Sequence, residues 1–229
     1  MALLDVGSGP ATITADLAER IAPGRITALE ISPEALETSR VELQRRGVAA
    51  ELVVGDVHNL QLPDNSFDVV HAHQVLQHLV DPVRALREMR RVCRPGGMVA
   101  VRDGDYTGFT WWPRLPELDR WLDLYRQAAR ANGGEPDAGR RLLGWAQDAD
   151  FTDITATSST WCFATAEDRA FWGEMWADRI TGSALAEQLL TSGMATEDEL
   201  RALALGWRRW ASAKDGWLSV LHGELMCRA

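Results

Sequence analysis

The segment Leu4-Asp5-Val6-Gly7-Ser8-Gly9-Pro10 constrains this chain most. It joins an apolar run, Ala2 to Val6, to a stretch from Ala11 to Ile21 in which Ile13, Leu17 and Ile21 recur at helical spacing. Glycines at such a turn admit backbone angles closed to other residues, and they let a ligand approach the main chain with no Cβ in the way. The helix that follows presents free N–H groups in its first turn to a polar ligand group.

The same strand–turn–helix unit then repeats. Arg25 to Glu30 reads as a second strand, and Pro33 stands in the first turn of a helix behind the capping candidate Ser32. Glu51 to Val54 is a third strand and Phe67 to Ala72 a fourth. Pro82 to Val92 is a helix closed by Arg94-Pro95-Gly96-Gly97, read as a stop before a fifth strand, Met98 to Arg102. This alternation predicts an α/β fold with a doubly wound, mostly parallel sheet and helices on both faces. After Arg102 the rhythm changes. Leu115 to Ala131 and Arg140 to Ala149 read as helices, and Thr152 to Cys162 is strand-favouring. A helical stretch from 167 to 213 breaks near Gly182 and Gly193, and Trp217 to Cys227 is a candidate closing strand. Most of the ten tryptophans follow residue 115, which points to a helical lid packed on the sheet. With no repeat and no Gly/Ser linker, the expectation is one domain, 1–229: a cofactor-binding half, 1–105, and a substrate or lid half, 106–229, carrying the late strands.

Composition excludes several functions. The net charge is −9 with no basic cluster, which disfavours a nucleic-acid partner. The single lysine, Lys214, lies in no P-loop or Schiff-base context. Cys93, Cys162 and Cys227 are far apart with no CxxC spacing, so neither a metal site nor a disulfide framework is expected. No apolar run is long enough to span a bilayer and no leader opens the chain, so no membrane partner and a cytoplasmic location are expected.

Two acidic residues complete a pattern with the glycine turn. Glu30, at the tip of the second strand, can accept two hydrogen bonds from ribose hydroxyls, although alone it reads equally as a solvated strand-end carboxylate. Asp56, in Gly55-Asp56-Val57, is placed to accept from an adenine amino group or to serve as a turn residue. Val57 and Ile31 stand ready to pack on the ring faces. Gly7, Glu30 and Asp56 fall at three successive strand ends, where doubly wound sheets bind ligands, and they match three parts of one adenosine ligand.

The motifs DVGSG, ALEIS, GDV, LPDNSFDVVHAHQVLQHL and RPGG resemble, in order and spacing, the class I S-adenosylmethionine-dependent methyltransferases of the ubiquinone/menaquinone-biosynthesis-like group, over residues 1–105. The resemblance implies a Rossmann-like methyltransferase fold of seven strands, including a late antiparallel one, for which Trp217 to Cys227 is the candidate. It implies S-adenosyl-L-methionine as cofactor and methyl transfer to a small-molecule acceptor. Gly7, Ser8 and Gly9 would line the methionine part, with Asp5 beside them among the cofactor-binding residues. Glu30 would hold the ribose, and Asp56 and Val57, with Ile31, the adenine. His73 would lie beside the methionine moiety or the transferring methyl. Members of the group usually carry residues ahead of the first strand that cover the cofactor; here that strand begins at Ala2, so a preceding segment or a different lid is expected to do so.

Methyl transfer from a sulfonium is an in-line displacement, so holding the reactants close and in line carries much of the catalysis. A general base is needed only where the nucleophile must lose a proton. His71 and His73 are expected to point to opposite faces of the fourth strand, with His73 toward the site as the catalytic candidate or as a group that only positions backbone or cofactor. His78 reads as a packing or capping residue. Asp105 and Tyr106, after the fifth strand, are candidates to orient a substrate hydroxyl. Trp111, with Phe109 and Trp112, offers an apolar cover for an aromatic or polyketide-like acceptor, or else packs the lid. Two alternatives stand beside this reading. A nicotinamide-dependent oxidoreductase shares the glycine turn and the acidic residue, but Thr12 occupies its third glycine position. The other is a non-catalytic module that binds S-adenosylmethionine.

Overall fold

The computed structural model describes residues 1–229. In chain order the elements are β1 (Ala2–Val6), α1 (Thr12–Ile21), β2 (Arg25–Glu30), α2 (Pro33–Arg46), β3 (Glu51–Val54), β4 (Phe67–His73), α3 (Pro82–Val92) and β5 (Cys93–Gly104). They continue with β6 (Thr110–Trp112), α4 (Pro116–Ala131), α5 (Leu142–Asp148), β7 (Ile154–Phe163), α6 (Ala166–Gly182), α7 (Ala184–Thr191), α8 (Glu197–Ser212) and β8 (Trp217–Arg228). Short 3₁₀ turns occur at Val57–Asn59, Leu76–His78, Tyr106–Gly108 and Ala138–Arg140. The strands order as β3-β2-β1-β4-β5-β8-β6, with β7 paired to β8. The sheet has eight strands where seven were expected, because β6 is only three residues long, too short to show alternation in sequence. No helix is long and apolar enough to cross a membrane.

The chain divides into two compact units: residues 1–103, 138–158 and 223–229 form the first, and 104–137 and 159–222 the second. Segments 138–158 and 223–229, read from the sequence as part of the substrate half, therefore belong with the first hundred residues. The reason is apolar. Ala146 and Phe151, and Leu225 and Cys227, are buried in one cluster with Leu86 and Met89 of α3.

In the first unit β1 pairs in parallel with β2 on one side and β4 on the other, so Asp5 lies level with Ala28 and His71. The chain winds outward to β3, then returns beside β1, which puts the switch in strand order between β1 and β4. Leu4, Val6, Val70, Ala72, Val99 and Val101 join the α3 and α5 core on one face. Ala11, Ala15 and Leu43 pack α1 and α2 separately. Helix starts follow their sequence signals: Ser32 Oγ accepts the Ala35 N–H at 3.1 Å and Asp81 Oδ1 the Arg84 N–H at 2.9 Å, with Pro33 and Pro82 leading the two helices. A cap contributes about 1 kcal/mol, whereas each fully buried Leu or Met side chain contributes about 2 kcal/mol, so packing rather than capping holds α3 in place.

One strand boundary differs from expectation. Arg94-Pro95-Gly96-Gly97 is the opening of β5 and not a loop. The register with β4 shifts between Phe67 and Val69, and the Gly96 N–H donates to Ala229 O at 2.9 Å, so this turn-like sequence is an irregular strand start held by the chain's last residue.

The second unit has its own core. Trp121, Trp176, Trp207 and Trp210 are at most 2% exposed, and Trp121 meets Trp176 and Trp207 edge-on at 4.5 and 4.8 Å. Thr165 and Thr196 cap α6 and α8. The predicted break near Gly182 is sharpened by Ser183, which caps α7 by accepting the Leu185 N–H. β6 runs antiparallel to the start of β8, Trp111 opposite Leu218.

Candidate active site

A cleft of about 380 Å³ opens at the carboxyl ends of β1, β2 and β3 in the first unit. Gly7, Glu30, Ile31, Asp56 and Val57 all line it. A larger hollow, about 480 Å³, lies beside Ala2, Arg25, Glu51 and Phe67, the residues that begin their strands. That is the wrong end of a doubly wound sheet for its ligand.

The glycine turn is shaped by its surroundings. Gly7 has φ +66° and its N–H donates to Leu29 O at 2.7 Å. A Cβ there would stand 2.5 Å from Val75 Cγ2, so the turn packs directly under the segment that follows β4. Glu30 is pinned at the end of β2 by two main-chain donors: Gly9 N–H to Oε2 at 3.1 Å and Ile31 N–H to Oε1 at 2.8 Å. Each oxygen keeps a second lone pair. Asp56 begins the Val57–Asn59 turn, and both its bonds, to the His58 main-chain N–H at 2.9 Å and to His58 Nδ1 at 2.7 Å, use Oδ1. The His58 N–H bond lowers the Asp56 pKa, so the group stays an acceptor. His58, given no role by the sequence, is thus the residue that orients Asp56.

Other expected site residues sit elsewhere. Asp5 is 3% exposed, with Oδ2 accepting from Thr14 Oγ1 at 2.6 Å and Oδ1 paired with His71 Nδ1 at 2.8 Å. It ties α1 to β4 beneath the turn, buried and away from the cleft walls. Ser8 and Gly9 are not among the cleft walls, and Ser8 Oγ is buried without a protein partner. His71 and His73 share one face of β4, contrary to expectation, because residues two apart in a strand point the same way. Their rings stack 6.4 Å apart with planes 15° from parallel. His73 does not line the cleft. Burial, then the Arg102 guanidinium and His71, push its pKa down from 6.5 to about 4. With Arg102 Nη1 3.5 Å from its Nε2, His73 is suited to accept a hydrogen bond and poorly suited to keep a proton taken from an acceptor. Asp105, Tyr106 and Trp111 are 2%, 8% and 3% exposed. Asp105 accepts the Gly108 N–H at 3.1 Å, Tyr106 and Trp111 belong to the apolar core of the second unit, and none of the three lines the cleft.

Reading the sequence missed the far wall: Val75, His78, Leu79 and Val80. The one signal for it was two apolar pairs, Val75-Leu76 and Leu79-Val80, set among polar residues just after a strand. Val80 is 77% exposed and Ile31 67%, large apolar surface that a bound ring would cover.

A glycine turn, a pinned carboxylate one strand over and a second beyond it, all at the carboxyl ends of a doubly wound sheet, define a nucleotide-cofactor enzyme fold. Residues 4–101 match the methyltransferase domain family. An uncharacterized methyltransferase of Schizosaccharomyces pombe is 34% identical over 236 residues, spanning 98% of this chain and 83% of that protein. A demethylmenaquinone methyltransferase of Listeria welshimeri is 35% identical over 115 residues, 49% of each chain. A solved phosphoethanolamine N-methyltransferase of Haemonchus contortus, in complex with S-adenosylhomocysteine, shares the fold with a TM-score of 0.59 at 17% identity, over 100% of this chain and 48% of that one. The chain belongs to the methyltransferases. Nothing in the fold or in these relatives supports an oxidoreductase or a non-catalytic module. The residues present fit S-adenosylmethionine: the cleft has two carboxylates for hydroxyl and amino donors and uncovered apolar walls, and in the glycine turn, outside the cleft walls, the buried Ser8 hydroxyl has no protein partner.

Proposed function

We propose that this enzyme methylates a small molecule and binds the adenosine end of its cofactor in the cleft between Glu30 and Asp56. The observation that carries the reading is that cleft: Glu30 and Asp56 each keep acceptor capacity along one apolar channel walled by Ile31, Val57 and Val80. Glu30 suits the ribose hydroxyls, and Asp56 Oδ2, which takes no protein donor, suits the adenine amino group. When bound, S-adenosylmethionine supplies an electrophilic methyl group on a sulfonium sulfur. His73, neutral at physiological pH, serves as a hydrogen-bond acceptor rather than as the base. A net charge of −9 speaks against nucleic acid as acceptor, and the Listeria relative, named for demethylmenaquinone, supports a small one.

The test is to incubate the enzyme with methyl-labelled S-adenosylmethionine and a cell extract, then separate small molecules from macromolecules. Label is expected in the small-molecule fraction. Label confined to protein or nucleic acid would overturn the reading.

A further inference from the structure

We propose that Asp103 is a positioning residue for the cofactor, its buried carboxyl holding the segment after β4 in place as the far wall of the cleft. The inference rests on that cleft being the cofactor site. Asp103 lies near the end of β5 with no exposed surface. Its Oδ1 accepts the Gln77 N–H at 3.0 Å, and the N–H groups of Leu76 and Val75 also favour its charged form from nearby. Three successive main-chain N–H groups, at 75, 76 and 77, thus lie near one acid, the last of them in a direct hydrogen bond.

What they hold is unusual backbone. Gln74 enters the segment at φ +55°, a left-handed conformation that a side chain disfavours, with its N–H donating to Arg102 O at 2.7 Å. Val75 then packs over Gly7 so closely that no Cβ fits beneath it. Val75, His78, Leu79 and Val80 form the wall that faces Glu30 and Asp56. Meanwhile Asp103 Oδ2 is buried without a partner. A residue there only to fill volume would carry no such unmatched polar atom, so the carboxyl is accounted for by the donors it gathers.

The test pairs titration of S-adenosylhomocysteine with hydrogen exchange of individual amides. In Asp103→Leu, affinity is expected to fall about tenfold, and the amides of residues 75–77 to exchange about tenfold faster while those of β1 and β4 stay protected. Asp103→Asn, which keeps the shape and one acceptor oxygen, should hold both readouts within about threefold of wild type. Should the leucine variant not fold, Asp103→Ser, too short to reach the three donors, gives the same pair of readouts. Unchanged affinity, or unchanged exchange at 75–77, would overturn the role of Asp103. Failure of the wild type to bind S-adenosylhomocysteine would instead overturn the cofactor assignment of the cleft, and the positioning role with it.

Discussion

Replacing Gly7 with alanine is expected to destabilise the protein by about 3 kcal/mol and to reduce cofactor affinity at least about tenfold. Two costs add. The backbone at position 7 sits at φ +66°, where a Cβ costs about 1 kcal/mol. The new methyl would also stand 2.5 Å from Val75 Cγ2, and overfilling a packed site costs about 2 kcal/mol more. Relief requires Val75 to lift, and Val75 is part of the cleft wall. Gly9→Ala is the matched control. Its φ is +51° but no atom lies within 4 Å of the added methyl, so only the backbone term of about 1 kcal/mol is expected. Urea unfolding of both variants, with a titration of S-adenosylhomocysteine, checks this; equal losses would show that Val75 does not press on the turn.

The second large effect concerns pH. Burial pushes the Asp103 carboxyl from its ordinary 3.8 up to about 7; the Gln77, Leu76 and Val75 N–H groups and the Arg102 guanidinium oppose the shift without cancelling it. Below the unfolded value both states hold the proton, and the group has no effect on the folding balance. Between pH 4 and 7 the unfolded chain ionises while the native chain does not, so stability falls as pH rises and levels off above the native value. The difference corresponds to about 4 kcal/mol. Asp103→Asn removes the titration and keeps the shape. Wild type should therefore lose about 4 kcal/mol relative to that variant between pH 4 and 8. Carboxylates held low, such as Asp56 and Glu88, act in the opposite sense in both proteins and drop out of the comparison. Parallel stability curves for the two proteins would contradict the assignment.

Much of the fold could be read in advance where local chemistry decides it. β2, β3 and α3 fall at Arg25–Glu30, Glu51–Val54 and Pro82–Val92, as read from apolar runs and a proline-led helix start. What failed depended on partners distant in sequence. The Arg94–Gly97 stretch looks like a turn and yet opens β5, between its pairings with β4 and beside the bonds to Ala229. The return of α5 to the first unit comes from packing against α3, which no helical period announces. The site divides the same way. Gly7, Glu30 and Asp56 end strands that are obvious in sequence, and the cleft runs past all three. Val75 and Val80 stand in the wall because the chain after β4 turns back over Gly7, a contact between segments far apart in sequence. Tyr106 and Trp111 looked like substrate contacts because aromatic rings suit both recognition and cores; here they are in the core of the second unit.

The most direct measurement is calorimetric titration of S-adenosylmethionine and S-adenosylhomocysteine into wild type, Glu30→Ala and Asp56→Ala, with NADH as control. Removing one charged acceptor of a buried ligand costs about 1.5–3 kcal/mol, so each substitution is expected to weaken binding by about ten- to a hundredfold, with no heat from NADH. Undiminished binding of the sulfur compounds by both variants, or heat from NADH alone, would contradict a cofactor held between Glu30 and Asp56.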